Sequence, residues 1–97
     1  MSKVIWLTEA LEDTRRLRQF LEGQNPAAAV RAGQVLQAGA KRLASFPEIG
    51  RPMDDGTNRR EFFLPFGTGG YILRYIIEDQ TVVIVRAWHT KEKRYES

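Results

Sequence analysis

Hydrophobic and polar positions recur along this chain at two periods, and the change of period divides it into a helical first half and a stranded second half. Residues 3–7, Lys-Val-Ile-Trp-Leu, are short, β-branched and aromatic, which predicts a strand. From Thr8 the spacing lengthens. Leu11, Thr14, Leu17 and Leu21 form one helical stripe, with Arg15, Arg16, Arg18 and Glu22 outside it. Thr8 has the chemistry of a cap, Glu9 lies where the helix dipole favours an acid, and Gly23 ends the segment. Asn25-Pro26 opens a second helix, a capping residue followed by proline at the first helical position. It is expected to run to about Ser45, with Ala29, Gly33, Leu36, Ala40 and Leu43 on its inner face. Gly33 and Gly39 each cost a helix about 1 kcal/mol relative to Ala. Tight packing of the two helices as an antiparallel hairpin would account for them.

Residues 46–58 form the longest irregular stretch, broken by Pro47, Gly50, Pro52 and Gly56. Period-two alternation follows. Residues 59–65 predict a strand, 67–70 a glycine turn, 71–78 a strand, Asp79-Gln80 a tight connection, and 81–89 a last strand. In the 71–78 strand Tyr71, Leu73, Tyr75 and Ile77 share one face, and Ile72, Arg74 and Ile76 the other. The run Val-Val-Ile-Val-Arg-Ala-Trp is almost continuously apolar, as expected of a central strand buried on both faces. The order is β-α-α-β-β-β, and helices grouped before a sheet indicate the α+β class.

Composition narrows this only a little. At 97 residues the chain is expected to be one domain. No apolar run approaches the ~20 residues of a membrane span, and the N-terminus lacks the layout of a signal peptide, so a cytoplasmic protein is expected. The chain has no cysteine, which removes disulfides, thiol chemistry and Cys-based zinc sites. With one histidine and scattered carboxylates, neither a metal site nor a cofactor is expected. The net charge of +3 permits contact with nucleic acid or an acidic protein segment and proves neither.

The candidate chemistry lies at the C-terminal end. His89 closes the last strand; Arg86 precedes it, and Lys91, Lys93, Arg94 and Tyr95 follow. Alternation puts Arg86 and His89 on opposite faces unless the strand twists or ends between them. A metal-free nuclease needs a base, an acid and cations for the developing phosphorane charge. His89, Arg74, Lys91, Arg94 and Tyr95 are of the right types, although a lone histidine and a basic tail are more often structural and solvated. Phe62, Phe63, Phe66, Tyr71, Tyr75 and Trp88 could stack bases, but at alternate strand positions they read first as core.

The segments Asn25-Pro-Ala-Ala-Ala-Val, Leu43-Ala-Ser-Phe-Pro-Glu-Ile-Gly-Arg-Pro52 and the aromatic-basic end of the last strand carry a family likeness over nearly the whole chain. It resembles the RelE/ParE superfamily, the toxins of bacterial type II toxin–antitoxin modules, and the ParE (plasmid stabilisation) side more than the RelE side. The resemblance implies a helical hairpin, about residues 8–23 and 26–45, on a four-stranded, mostly antiparallel sheet. It implies a growth-inhibiting protein silenced by a cognate antitoxin that is acidic and amphipathic, with a ribbon-helix-helix or similar DNA-binding part. ParE-like members bind DNA gyrase; RelE-like members cut mRNA on the ribosome. The lysines of the nuclease pattern fall on Glu61 and Phe63, and its third-strand arginine on Ile72, with Arg74 two positions on and facing the same way. The reading is therefore a gyrase-binding toxin, with Arg86, His89, Lys91, Lys93, Arg94 and Tyr95 as target contacts and Arg59 and Arg60 after them. The alternatives are a ribosome-dependent mRNA endonuclease using His89, Arg74, Arg94 and Tyr95, and a degenerate toxin retaining only antitoxin binding.

Overall fold

The computed structural model describes residues 2–92. The elements are β1 (Lys3–Trp6), α1 (Thr8–Glu22), α2 (Pro26–Ser45), β2 (Arg51–Pro52), β3 (Arg60–Phe66), β4 (Gly69–Glu78) and β5 (Thr81–His89). They form two helices on one five-stranded sheet of order β1-β5-β4-β3-β2. β1 runs parallel to β5, and the other pairings are antiparallel. The expected fold class and element order hold. The fifth strand is the addition: Arg51 and Pro52, inside the stretch expected to be irregular, pair with Glu61 and Arg60.

Two side chains tie that stretch down. The Tyr75 hydroxyl donates to Pro47 O at 2.6 Å and accepts from Gly50 N–H at 2.9 Å. Arg60 Nη1 donates to Glu48 O and Gly50 O at 3.0 and 2.8 Å. A Cβ on Gly50 would lie 2.6 Å from the Tyr75 oxygen, so glycine is required there.

The core lies between the helices and one face of the sheet. Leu17, Ala32, Leu36 and Leu43 meet Leu64, Tyr71, Leu73, Tyr75, Val82, Ile84 and Ala87. Asn25 caps α2 as expected, accepting from Ala28 N–H at 3.1 Å, with Pro26 at its first position. Thr8 does not cap α1; it is the first helical residue, and Leu7 is the cap without a side-chain bond. The buried stripe of α1 keeps Leu17 and the partly buried Leu21 of the expected one but takes Ala10 and Asp13 in place of Leu11 and Thr14. Ala10, Asp13 and Leu17 are buried, while Leu11 is 49% exposed.

Nor do the glycines of α2 serve the helix pair. A Cβ on Gly39 would meet Leu64 Cδ1 at 2.5 Å, so Gly39 lets α2 approach β3. A Cβ on Gly33 would find only Arg18 Cδ at 3.9 Å, an ordinary contact.

The last correction concerns β5. Tyr75 pairs Ile84 and Arg74 pairs Arg86, so Val85 is an extra residue, a β-bulge. The bulge resets the alternation: Val82 and Ile84 are buried before it, Ala87 after it. The outer side of β5, Val83 and Trp88, is only half-buried, so the strand is not closed in on both faces.

Candidate functional site

Because of that one inserted residue, His89 falls on the helix side of the sheet and Trp88 on the outer side. His89 sits opposite Tyr71 in the ladder. Its ring meets the Tyr71 ring edge-on, centroids 5.0 Å apart, and the Phe66 ring at 6.4 Å. Together with Leu17, Phe20 and Leu21 of α1, these residues line a groove of about 610 Å³ rimmed by Arg16, Lys91 and Glu92. Phe20 is 65% exposed over it. Both imidazole nitrogens are engaged. Lys91 N–H donates to Nδ1 at 3.1 Å, which leaves Nε2 as the donor to Phe66 O at 3.2 Å. The hydrogen bonds thus assign the neutral Nε2–H tautomer. Burial, with the Glu92 charge adding to it, raises the Tyr71 pKa, so its phenol stays neutral.

Beside this groove lies a charged network that joins α1 to the end of β5. β1 leaves the sheet once Leu7 N–H has bonded Ile84 O at 3.0 Å, so the edge of β5 is open beyond that point. Asp13 of α1 closes it by accepting Ala87 N–H at 2.9 Å. The same carboxylate accepts Arg86 Nε and Nη2 at 2.8 and 3.1 Å and Arg16 Nη1 at 2.6 Å. Four donors on a carboxylate whose side chain is 3% exposed outweigh its desolvation. Burial is the largest single influence on Asp13 and raises its pKa; the bonds from Arg86, Ala87 and Arg16 together reverse this and hold it below the usual 3.8. Arg86 and Arg16 are correspondingly stabilised as cations, Arg86 first by its bond to Asp13 and Arg16 first by its bond to Glu92.

The other face of the sheet carries a second charged pair. Arg74 Nη2 and Nε donate to Glu61 Oε2 at 2.7 and 3.0 Å, and the guanidinium carbon lies 4.9 Å from the centre of the Trp88 ring. Arg74 and His89 therefore project from opposite faces.

The expected site residues separate as follows. Arg86 stands opposite Arg74 in the ladder and His89 opposite Tyr71, so the two start from opposite faces as expected; the Arg86 guanidinium nonetheless bonds Asp13 of α1, and Asp13, Arg16 and Glu92 link it to the His89 amide. Arg59 stays in its loop, pairing Asp55 at 3.0 Å, and Arg60 holds the 48–50 carbonyls. Lys91 is exposed and forms no ion pair among the described residues. Lys93, Arg94 and Tyr95 lie outside the described residues. Asp13, Arg16, Phe20 and Glu92 were not singled out from the sequence. Asp13 had one signal: it falls three residues after Ala10 and four before Leu17, at core spacing. Among the described residues no three His, Cys, Asp or Glu side chains stand together to hold a metal, and no helix is long and apolar enough to cross a membrane.

Three comparisons bear on what this arrangement does. Residues 4–94 match the family model of the ParE toxin of the type II toxin–antitoxin system parDE. Toxin RelE1 of Caulobacter vibrioides is 35% identical over 91 residues, 94% of this chain and 96% of that one. Among solved structures, the chromosomal ParDE toxin–antitoxin system of P. aeruginosa superposes with a TM-score of 0.77 at 18% identity, covering 94% of this chain and 98% of that chain. A chain of the intact E. coli RelBE toxin–antitoxin complex superposes at 0.64 and 16%, covering 95% and 100%. At these identities the two structures bear on the fold alone.

Proposed function

This chain belongs to the ParE toxin family of the RelE/ParE superfamily, and on that premise we propose that it is a cytoplasmic toxin that stops growth by binding DNA gyrase and is silenced by a cognate antitoxin. One observation favours gyrase binding over RNA cleavage. Arg74, the sheet arginine of the nuclease reading, is neutralised by Glu61 at 2.7 Å and projects from the face opposite His89. A scissile phosphate bound at His89 would find no arginine from β4, and one bound at Arg74 would meet the Glu61 carboxylate. The engaged nitrogens of His89 argue the same way, because a general base needs a nitrogen within reach of its proton.

The antitoxin reading draws support from the other side of the helical hairpin. A groove of about 460 Å³ between α1 and α2 is lined by Trp6, Leu11, Ala29, Val30 and Leu36, with Arg18 on its rim and Arg15 beside it. Leu11 and Val30 are exposed, and neither arginine pairs with an acid among the described residues. An amphipathic, acidic segment matches both properties.

A second reading, ribosome-dependent mRNA cleavage, is favoured by the relative named Toxin RelE1. One experiment separates the two. The purified toxin is added to gyrase supercoiling reactions and, in parallel, to a purified translation system read by primer extension. Loss of supercoiling without codon-positioned cuts is expected. Cuts that vanish in His89→Ala would establish the nuclease instead. Unimpaired growth on induction without the antitoxin, at confirmed soluble expression, would leave only a degenerate toxin.

A further inference from the structure

The turn that follows β5 is fastened at both ends. On the β4 side, Thr90 N–H donates to Gly70 O at 2.8 Å, and Gly70 N–H to Thr90 Oγ1 at 3.1 Å. On the helix side Glu92 folds back. Its N–H donates to His89 O at 2.9 Å, and its Oε1 accepts His89 N–H at 3.1 Å. The same carboxylate takes the fork of Arg16, Nη2 on Oε1 at 3.1 Å and Nε on Oε2 at 3.0 Å. Arg16 shares the Asp13 carboxylate, at 2.6 Å, with Arg86, so Glu92 supplies the second negative charge for two guanidinium groups. The Arg16–Glu92 pair is nonetheless partly exposed, 44% and 28%, where ion pairs add little to stability. What a bidentate guanidinium–carboxylate contact does supply is direction. Between the two fastenings stands Lys91, whose side chain is exposed beside the His89 groove.

We propose that Glu92 is a positioning residue for target contact: by clamping the turn after β5 onto Arg16 of α1, it presents the Lys91 cation at the mouth of the His89 groove in one orientation. This rests on the reading that the end of β5 meets the target. Arg16 is the α1 half of the clamp, and Asp13 fixes Arg16 in turn through its second bond. The chain of hydrogen bonds from Arg86 to Asp13, Arg16, Glu92 and the His89 amide is continuous and joins the groove to the turn.

The test uses the full chain with three variants: Lys91→Ala, which reports on the contact itself, and Glu92→Gln and Glu92→Lys, which report on the clamp. Glu92→Gln keeps an acceptor for His89 N–H and loses the charge on Arg16; Glu92→Lys repels Arg16. Each is measured for inhibition of purified gyrase, for affinity to the antitoxin and for Tm. The proposal expects the half-inhibitory concentration to rise about tenfold in Glu92→Gln and further in Glu92→Lys, the scale of one lost charge-assisted contact. Tm and antitoxin affinity should stay at the wild-type values, and exchange of the His89 amide proton should quicken in Glu92→Lys. A loss of Tm parallel to the loss of inhibition would make Glu92 structural and overturn the proposal. Lys91→Ala weakened with both Glu92 variants unchanged would overturn the clamp and leave the end of β5 as the contact. If Lys91→Ala inhibits like the wild type, the underlying reading fails and the clamp fails with it.

Discussion

Two arginine–carboxylate pairs, one on each side of the sheet, share their chemistry and differ in consequence. On the helix side the acid is the buried partner. Asp13 gathers Arg86, Arg16 and a backbone N–H, and its bond to Arg86 spans 73 positions of the chain. On the outer side the arginine is the buried partner. The Arg74 side chain is 8% exposed against 30% for Glu61, and the two stand 13 positions apart on strands that already pair. The first pair makes geometry, because α1 and the end of β5 have few other polar ties. The second removes a cation from a face that would otherwise offer one to a phosphate. Deleting an acid with several donors orphans groups on more than one element at once; deleting an acid with one donor residue orphans that residue alone.

The sharpest way to break this comparison is Asp13→Ala. It leaves Arg86 and the Ala87 N–H without their acceptor and Arg16 with Glu92 alone, and breaking a buried pair costs about 3–5 kcal/mol. Urea denaturation should show a loss of that order; a loss below ~1 kcal/mol would put the two pairs on one footing. The acid limb of the stability curve should follow the same residue. Asp13 titrates lower in the folded chain than its usual 3.8, so the folded state binds the proton more weakly than the unfolded chain does. The stability it contributes is therefore fully present above about pH 4 and lost as the pH falls through the lower folded value. Asp13→Asn, less stable at neutral pH, should lose less on acidification than the wild type. Parallel curves would show that another group governs that limb.

The hub also marks where the sequence stops being legible. The Asn25-Pro26 opening of α2, the Asp79-Gln80 turn and the alternation of Tyr71, Leu73 and Tyr75 could be read because each signal is local: a cap, a turn, a period. Asp13 had only its spacing from Ala10 and Leu17 to mark it, and nothing local to justify burying an acid. A stripe drawn through leucines takes Leu11 and leaves out an acid, and only the arginines of β5, brought near by the tertiary fold, make that acid suitable for burial. The Val85 bulge left no mark in the run Val82 to Ala87, where every residue suits a strand, yet it decides the face on which His89 stands. Gly39 was legible as a close approach and misassigned in its partner, since nothing local separates a facing helix from Leu64 of β3.

A smaller effect is expected on the outer face. Glu61→Ala should cost about 1–3 kcal/mol, the scale of a lost bond to a charged group. Arg74 keeps the Trp88 ring as a neighbour, on a face only half closed to water. Removing both partners should cost less than the sum of the single losses, because the orphaned arginine goes too. A double variant as costly as the sum would mean that the pair is no unit. Freeing Arg74 should also leave the chain without codon-positioned RNA cuts, since His89 remains across the sheet. Cuts gained by Glu61→Ala would show that Glu61 alone was suppressing a nuclease.

The smallest expected effect on stability is at Lys91, and it bears hardest on the comparison. An arginine held by its acid shapes this fold; a cation with none among the described residues is left for something outside. The Lys91 side chain is exposed, and its structural tie is made by its backbone N–H on His89 Nδ1, which alanine keeps. Lys91→Ala should therefore shift the denaturation midpoint by no more than about 0.5 kcal/mol, as at ordinary surface positions. Growth arrest at matched expression should nonetheless weaken, while Asp55→Ala, which frees Arg59 far from the groove, should leave arrest unchanged. If Lys91→Ala destabilises the chain as much as Glu61→Ala does, its side chain has a structural role and the rule fails. If it is stable and arrests growth undiminished, the end of β5 is not where the target binds, and the search moves to the free arginines of α1, Arg15 and Arg18.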